Sequence, residues 1–177
     1  MTIQPRGYVQ VYTGDGKGKT TAALGLCLRA AGHGFRSRII QFMKGQIDYG
    51  ELKAALKLGG LITITQAGRA AFVDKKKPDP EDVKLAGQAL ELSRQALAEA
   101  RVDILVLDEI LCALDFKLVK EAEVLDLIRS KPEKLELILT GRGATEAVIR
   151  AADLATEMKA IKHYFDQGVA DRVGIER

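Results

Sequence analysis

The stretch Tyr8-Val9-Gln10-Val11-Tyr12-Thr13-Gly14-Asp15-Gly16-Lys17-Gly18-Lys19-Thr20-Thr21-Ala22-Ala23 decides the fold. It begins as a short apolar strand, is broken by Gly14, Gly16 and Gly18, and continues as an Ala- and Leu-rich run to Ala31 that stops at Gly32 and Gly34. Strand, glycine turn and helix in that order form a phosphate cradle. Closely spaced glycines let successive backbone N–H groups curl round an anion, because a Cβ would obstruct the close approach. The helix that follows points its positive end at the same place. Lys19 then reaches the outer phosphates and the Thr20 hydroxyl is placed to ligate Mg²⁺. Gly18-Lys19-Thr20 matches the end of the general phosphate-loop pattern, whose first glycine falls here on Thr13.

Outward from this loop, apolar runs alternate with helical patterns, the signature of βα units around a parallel sheet. Arg38 to Phe42, Leu61 to Thr65, Ile104 to Leu107, Leu135 to Leu139 and Leu154 to Met158 read as strands. Helices are expected over residues 51–58, 121–130 and 144–151. Pro78 and Pro80 open a long one, whose Val83, Ala86, Leu90, Leu97 and Ala100 recur at helical spacing and should face the sheet. The tail from Lys162 has no clear period. The expected fold is a single α/β domain over residues 1–177, doubly wound, with helices on both faces of a mostly parallel sheet.

The chain has 177 residues, 47% hydrophobic and 29% charged, with a net charge of +3. So small an excess gives no basic groove for nucleic acid. No apolar run is long enough for a membrane span, and the start lacks a secretory pattern, which places the chain in the cytoplasm. Cys27 and Cys112 are the only cysteines and His33 and His163 the only histidines, which argues against a zinc cluster or a disulfide framework.

Two more constellations carry chemistry. Asp108-Glu109 follows an apolar strand, where acids lie beside Mg²⁺ in a phosphate-loop fold, and the spacing leaves open which of them touches the ion. Thr140-Gly141-Arg142-Gly143 ends another strand and exposes an Arg able to grip phosphate with two parallel bonds. Gln41, Lys44 and Gln46 lie past the second strand on the same expected edge. Lys75-Lys76-Lys77 reads as a solvated loop, and Phe42 and Phe72 as packing unless a large flat ligand docks there. The chain contains no Asn, which removes the base-recognition motif of a GTP switch. A nucleic-acid motor is disfavoured by charge and by few aromatics. A small-molecule kinase transferring the γ-phosphoryl group stays open.

The loop from Thr13 to Ala23 resembles that of the P-loop ATP:cob(I)alamin (corrinoid) adenosyltransferases, which also carry Thr where the general pattern has its first glycine. The likeness continues through Gln41-Phe42-Met43-Lys44-Gly45, Val106-Leu107-Asp108-Glu109, Thr140-Gly141-Arg142-Gly143, Ala152-Asp153, Glu157-Met158, Lys162-His163 and Gly174-Ile175-Glu176, nearly the whole chain. The resemblance implies a RecA-like fold and transfer of the 5′-deoxyadenosyl group of ATP to the cobalt(I) of a reduced corrinoid, with triphosphate leaving. It implies nucleotide and corrinoid contacts from Gly14, Asp15, Gly16, Lys17, Gly18, Lys19, Thr20, Thr21, Gln41, Lys44 and Phe72. Lys19 and Arg142 would stabilise the departing triphosphate, and Thr20 with Glu109 and Asp108 would hold Mg²⁺. A homodimer and a flavin or flavoprotein electron donor are implied as well. The family loop usually has Asn where Asp15 stands. It often places a Phe and a Trp before the long helix to displace the lower cobalt ligand, where this chain offers only Phe72 and has no Trp.

Overall fold

In the computed structural model, which describes residues 6–45 and 48–176, a six-stranded sheet is built from β1 (Val9–Thr13), β2 (Ser37–Phe42), β3 (Ile62–Ala67), β4 (Ile104–Asp108), β5 (Glu136–Thr140) and β6 (Leu154–Glu157). The spatial order is β3-β2-β4-β5-β1-β6, and every pairing is parallel. Parallel neighbours need crossovers, and helices supply them: α1 (Lys19–Ala31), α2 (Gly50–Leu56), α3 (Pro80–Glu99), α4 (Ile110–Asp115), α5 (Glu121–Arg129) and α6 (Glu146–Ala151). The α/β doubly wound class expected from the alternating pattern is the fold observed.

Strand period divides the core between the two faces. Ile104 and Val106 of β4 point to the side covered by Ala23, Cys27 and Ala30 of α1. Leu105 and Leu107 point to the other, against Leu90 and Leu97 of α3 and Leu127 of α5. Every residue of β4 is buried, which is why that strand reads as an unbroken apolar run.

The register brings all the strand ends to one edge. Gln41 stands opposite Asp108, Tyr12 opposite Thr140 and Thr13 opposite Glu157. Gln46 lies outside the described residues.

Two expectations about the long helix are corrected. Val83 is exposed and Ala100 is a left-handed C-cap, so neither belongs to the buried stripe of α3. That stripe is Ala86, Ala89, Leu90, Ser93, Ala96 and Leu97, set by where the helix touches the sheet. The helix α4 had no signal of its own, because its apolar residues continue directly from the strand and the two acids. The tail contains one short 3-10 turn, Tyr164–Gln167.

The start of α3 also holds down the loop that carries Phe72. The Asp79 carboxylate accepts from the Glu81 N–H, and the Asp82 carboxylate accepts from the Asp79 N–H, a reciprocal cap. Arg69 then donates to both oxygens of Asp82, at 2.8 and 2.6 Å, and to Asp79 at 3.1 Å. The hydrogen bonds from Arg69 hold the Asp82 carboxyl below its ordinary value of 3.8, against the opposing effect of burial. A depressed carboxyl stabilises the fold above its unfolded value and loses that contribution as pH falls through the folded one. Asp82→Asn is therefore expected to lower the denaturant midpoint at pH 7, with the gap from wild type narrowing as pH drops below about 4. A gap independent of pH would place the effect in packing instead.

Candidate functional site

The turn between β1 and α1 is a backbone cradle whose shape depends on two glycines. Gly16 donates its N–H to the Met158 carbonyl at 2.6 Å, and a Cβ on Gly16 would lie 2.6 Å from that same oxygen. Gly18 has φ 122°, a conformation that side chains resist, and it turns the chain into the first turn of α1. Lys19 curls back over the turn, donating to the Gly14 and Gly16 carbonyls at 2.7 Å each. Its ammonium is thus fixed at the loop centre, and the residue as a whole is only 8% exposed. Burial pushes the Lys19 pKa down and the charge of Arg142 adds to that, while Glu109 opposes both. A cation so poorly solvated gains strongly from an anion placed beside it.

Behind the loop sits Asp108, fully buried. One of its oxygens accepts from the hydroxyls of Thr20 (2.8 Å) and Thr140 (2.7 Å). The other accepts from Lys44 (2.9 Å) and Gln41 (3.3 Å). Thr20 starts α1, Thr140 ends β5, Gln41 lies near the end of β2 and Lys44 just beyond it, so one carboxylate ties four segments of chain together. Gln41 reaches on to Glu51 at 3.2 Å and receives a bond from Gln66. Burial opposes the charge on Lys44, but Asp108 first and Glu109 and Glu51 next hold its pKa above the ordinary lysine range. The Tyr49 ring lies 5.5 Å from the same ammonium.

Glu109 takes a left-handed conformation, φ 61°, and its N–H donates to the Thr140 hydroxyl at 3.0 Å. That kink separates the two acids. Asp108 turns inward to its four donors, while Glu109 lines the cleft. The Cys112 thiol receives the Arg142 N–H at 3.1 Å and is pushed up to about 12 by burial and by Glu109, so it stays protonated.

The cleft, of about 510 Å³, is lined by Asp15 through Thr21, Lys44, Tyr49, Glu51, Glu109 and Arg142, and on its far side by His163 and Gly174 to Glu176. The residues expected from the sequence at the loop, Lys44, Glu109 and Arg142 are thus brought to one place. Gln41 and Asp108 support it from behind, and Gly14 shapes the loop. Arg142 approaches Asp15 at 3.9 Å, both well exposed. Phe72 stands apart, fully exposed on the loop after β3 and outside the cleft lining. Phe42 is core, and Lys75 pairs with Asp115. The sequence carries no sign of the roles of the Thr140 hydroxyl, Tyr49 and Glu51, and the tail blocks Lys162-His163 and Gly174-Ile175-Glu176 are legible in it only as part of the family likeness. His163 serves both as a cap, its Nδ1 accepting from the Phe165 N–H, and as part of the wall.

Comparison with known proteins bears on the family and the fold. The family model for ATP:corrinoid adenosyltransferase BtuR/CobO/CobP matches residues 5–177. A corrinoid adenosyltransferase of Sinorhizobium is 35% identical over 172 residues, spanning 97% of this chain and 80% of the relative. One of Escherichia coli K12 is 32% identical over 171 residues, spanning 97% and 86%. Among solved structures, a KaiC-like protein from the hyperthermophilic archaeon Pyrococcus horikoshii superposes with a TM-score of 0.59 at 18% identity, over 89% of this chain and 74% of that one. That likeness bears on the fold alone.

Thr140 is the clearest test of the buried network. Thr140→Val keeps the side-chain shape but leaves Asp108 one donor short and the Glu109 N–H without its acceptor. A loss of roughly 1–3 kcal/mol in unfolding free energy is expected from leaving such buried groups unpaired. Urea denaturation of the variant measures it, and an unchanged midpoint would mean that water replaces the hydroxyl without cost.

Proposed function

The chain belongs to the ATP:corrinoid adenosyltransferase BtuR/CobO/CobP family and transfers the 5′-deoxyadenosyl group of ATP to a corrinoid, and we propose that the loop Gly14–Thr20 drives this reaction by holding the triphosphate that leaves. The observation that carries the assignment is the Lys19 ammonium, desolvated and fixed at the centre of the glycine turn. As the bond from ribose C5′ to oxygen breaks, negative charge gathers on the triphosphate. Donors already oriented toward it stabilise that charge with no reorganisation. Lys19 is the central donor and Arg142, exposed beside the loop, a second one. The cobalt(I) of the substrate is itself the nucleophile, so no side chain must act as general base. The poverty in histidine fits that chemistry.

Mg²⁺ suits the oxygen donors here. Among the described residues no group of three His, Cys, Asp or Glu side chains would hold a metal alone. Mg²⁺ ordinarily takes one or two protein oxygens and completes its shell with phosphates and water. The Thr20 hydroxyl, oriented by Asp108, and the Glu109 carboxylate on the cleft wall are the groups that would hold it. Bound there, Mg²⁺ would neutralise part of the triphosphate charge. Asp108 acts from behind by orienting Thr20, and Lys44 balances its charge. Gln41 spans Asp108 and Glu51.

We extend the reading to a cytoplasmic homodimer supplied with electrons by a reduced flavin or flavoprotein, its residues 1–177 working as one catalytic domain. Among the described residues no helix is long and apolar enough to cross a membrane. Ile161, Phe165 and Val173 leave apolar surface exposed that a second copy would cover. Phe72, wholly exposed beside the strand ends, is proposed to cover the lower face of the corrinoid. An apolar ring there would exclude water and the displaced base from cobalt(II), easing its reduction.

Lys19→Ala is expected to slow adenosyl transfer by roughly 10²–10³-fold, the usual effect of deleting one preorganised donor to a developing oxyanion. Wild-type turnover with ATP, Mg²⁺ and chemically reduced corrinoid should release triphosphate; release of ADP with a phosphorylated acceptor would instead support a kinase. Phe72→Ala should lose the four-coordinate cobalt(II) spectrum seen with ATP while keeping activity on pre-reduced cobalt(I). Persistence of that spectrum would return Phe72 to an ordinary loop residue.

A further inference from the structure

The Glu176 carboxylate joins three side chains at the edge of the cleft, Lys17, Tyr164 and Arg172. It pairs with Lys17 at 3.1 Å and accepts from the Tyr164 hydroxyl. It also takes the Arg172 backbone N–H at 2.9 Å and two guanidinium bonds at 3.2 and 3.1 Å. The Arg172 guanidinium lies over the Tyr164 ring at 4.9 Å, closing the knot. Hydrogen bonds from Arg172, then Tyr164, hold the Glu176 carboxyl well below the ordinary range, so it is ionised at neutral pH. The Lys17 ammonium reaches the Ile175 carbonyl too, at 3.1 Å.

Two features give this knot a functional position. Residues 165–175 are all exposed, so the knot holds the tail where apolar packing does not. Lys17 is the only side chain on its turn of the loop, flanked by Gly16 and Gly18, whose freedom a Cβ would otherwise restrict. Loop and tail form opposite walls of the same cleft. Lys17 joins the two walls at this point, through the Glu176 carboxylate and the Ile175 carbonyl.

We propose that Glu176 is a positioning residue for ATP: acting through Lys17, it holds the C-terminal tail and the outer turn of the phosphate loop at the spacing that receives the nucleotide. This rests on the adenosyl-transfer reading above and adds a residue to it. With the carboxylate gone, Lys17 and Arg172 lose their shared partner and the tail wall is held less firmly. Ordering both walls then falls on the binding step, and the cost appears in affinity for ATP rather than in the chemical step.

The test uses the full-length chain, with Glu176→Gln, Lys17→Met, the double variant and Glu176→Asp. Affinity for ATP is measured by displacement of a fluorescent ATP analogue, apart from any turnover. Kinetics follow with pre-reduced corrinoid, and thermal midpoints are recorded. Each single variant should weaken ATP binding and raise its KM by about tenfold, the loss of one charge-assisted contact, while kcat falls by less than about threefold. Because the two residues act as one unit, the double variant should be no weaker than either single by more than about threefold. Glu176→Asp, which keeps the charge, should recover part of the affinity. Unchanged ATP affinity in Glu176→Gln would overturn the proposal. So would losses that multiply in the double variant, or a fall in kcat with KM unchanged. Should Glu176→Gln fail to fold, wild-type ATP affinity in Lys17→Met would equally overturn it. Failure of wild-type adenosyl transfer would sink the underlying reading and leave the binding comparison intact.

Discussion

The structure depends on one buried carboxylate. Asp108 is shut away from water at the end of the central strand, and an isolated ion there would cost several kcal/mol. Four donors offset that cost: Thr20, Thr140, Lys44 and Gln41. Each comes from a different segment, so satisfying one charge fixes the relative placement of α1, β2, the chain beyond β2, and β5. Thr20 is thereby aimed, and the first turn of α1 with it. A packed apolar core could hold those elements together, but it would not select the rotation of a single hydroxyl.

Against this rigid support, the phosphate loop is poised by electrostatics of the opposite sign. Lys19 is poorly solvated and held only by two carbonyls. Burial first, and the charge of Arg142 after it, disfavour its charge until an anion arrives. Glu109 lies close enough to temper the field and is kept facing the cleft by its left-handed backbone. Site and scaffold thus divide the two acids between them: one carboxylate is spent on architecture, the neighbouring one is left available to a ligand. The reversal of direction between adjacent residues is what the positive φ at Glu109 accomplishes.

The parts around this centre are held more loosely and by polar contacts. The loop bearing Phe72 is anchored through Arg69 to the N-terminal cap of α3. The tail is anchored through Glu176 to Lys17. The Phe72 loop adds one apolar contact, Val73 against the core, whereas residues 165–175 of the tail are all exposed.

What the sequence by itself determined is whatever lies within a few residues of its own cause. The glycine turn, Lys19 and Thr20 are contiguous, so the phosphate cradle was legible at once. The strands of the core read as apolar runs because both faces of a parallel sheet are covered. Even the placing of Asp108 and Glu109 at the strand ends beside the glycine turn followed from strand polarity. Only the tertiary structure decided how those two acids divide their work, since Thr20 and Thr140 are 88 and 32 residues from Asp108 and Lys44 is 64. A threonine at a strand end carries no mark of the acid it will meet. Nor does an aperiodic tail announce that its penultimate carboxylate reaches Lys17 across 159 residues. Local periodicity records which face of an element is buried; it holds no information about which distant polar group will share that burial, and that is settled only when the chain closes.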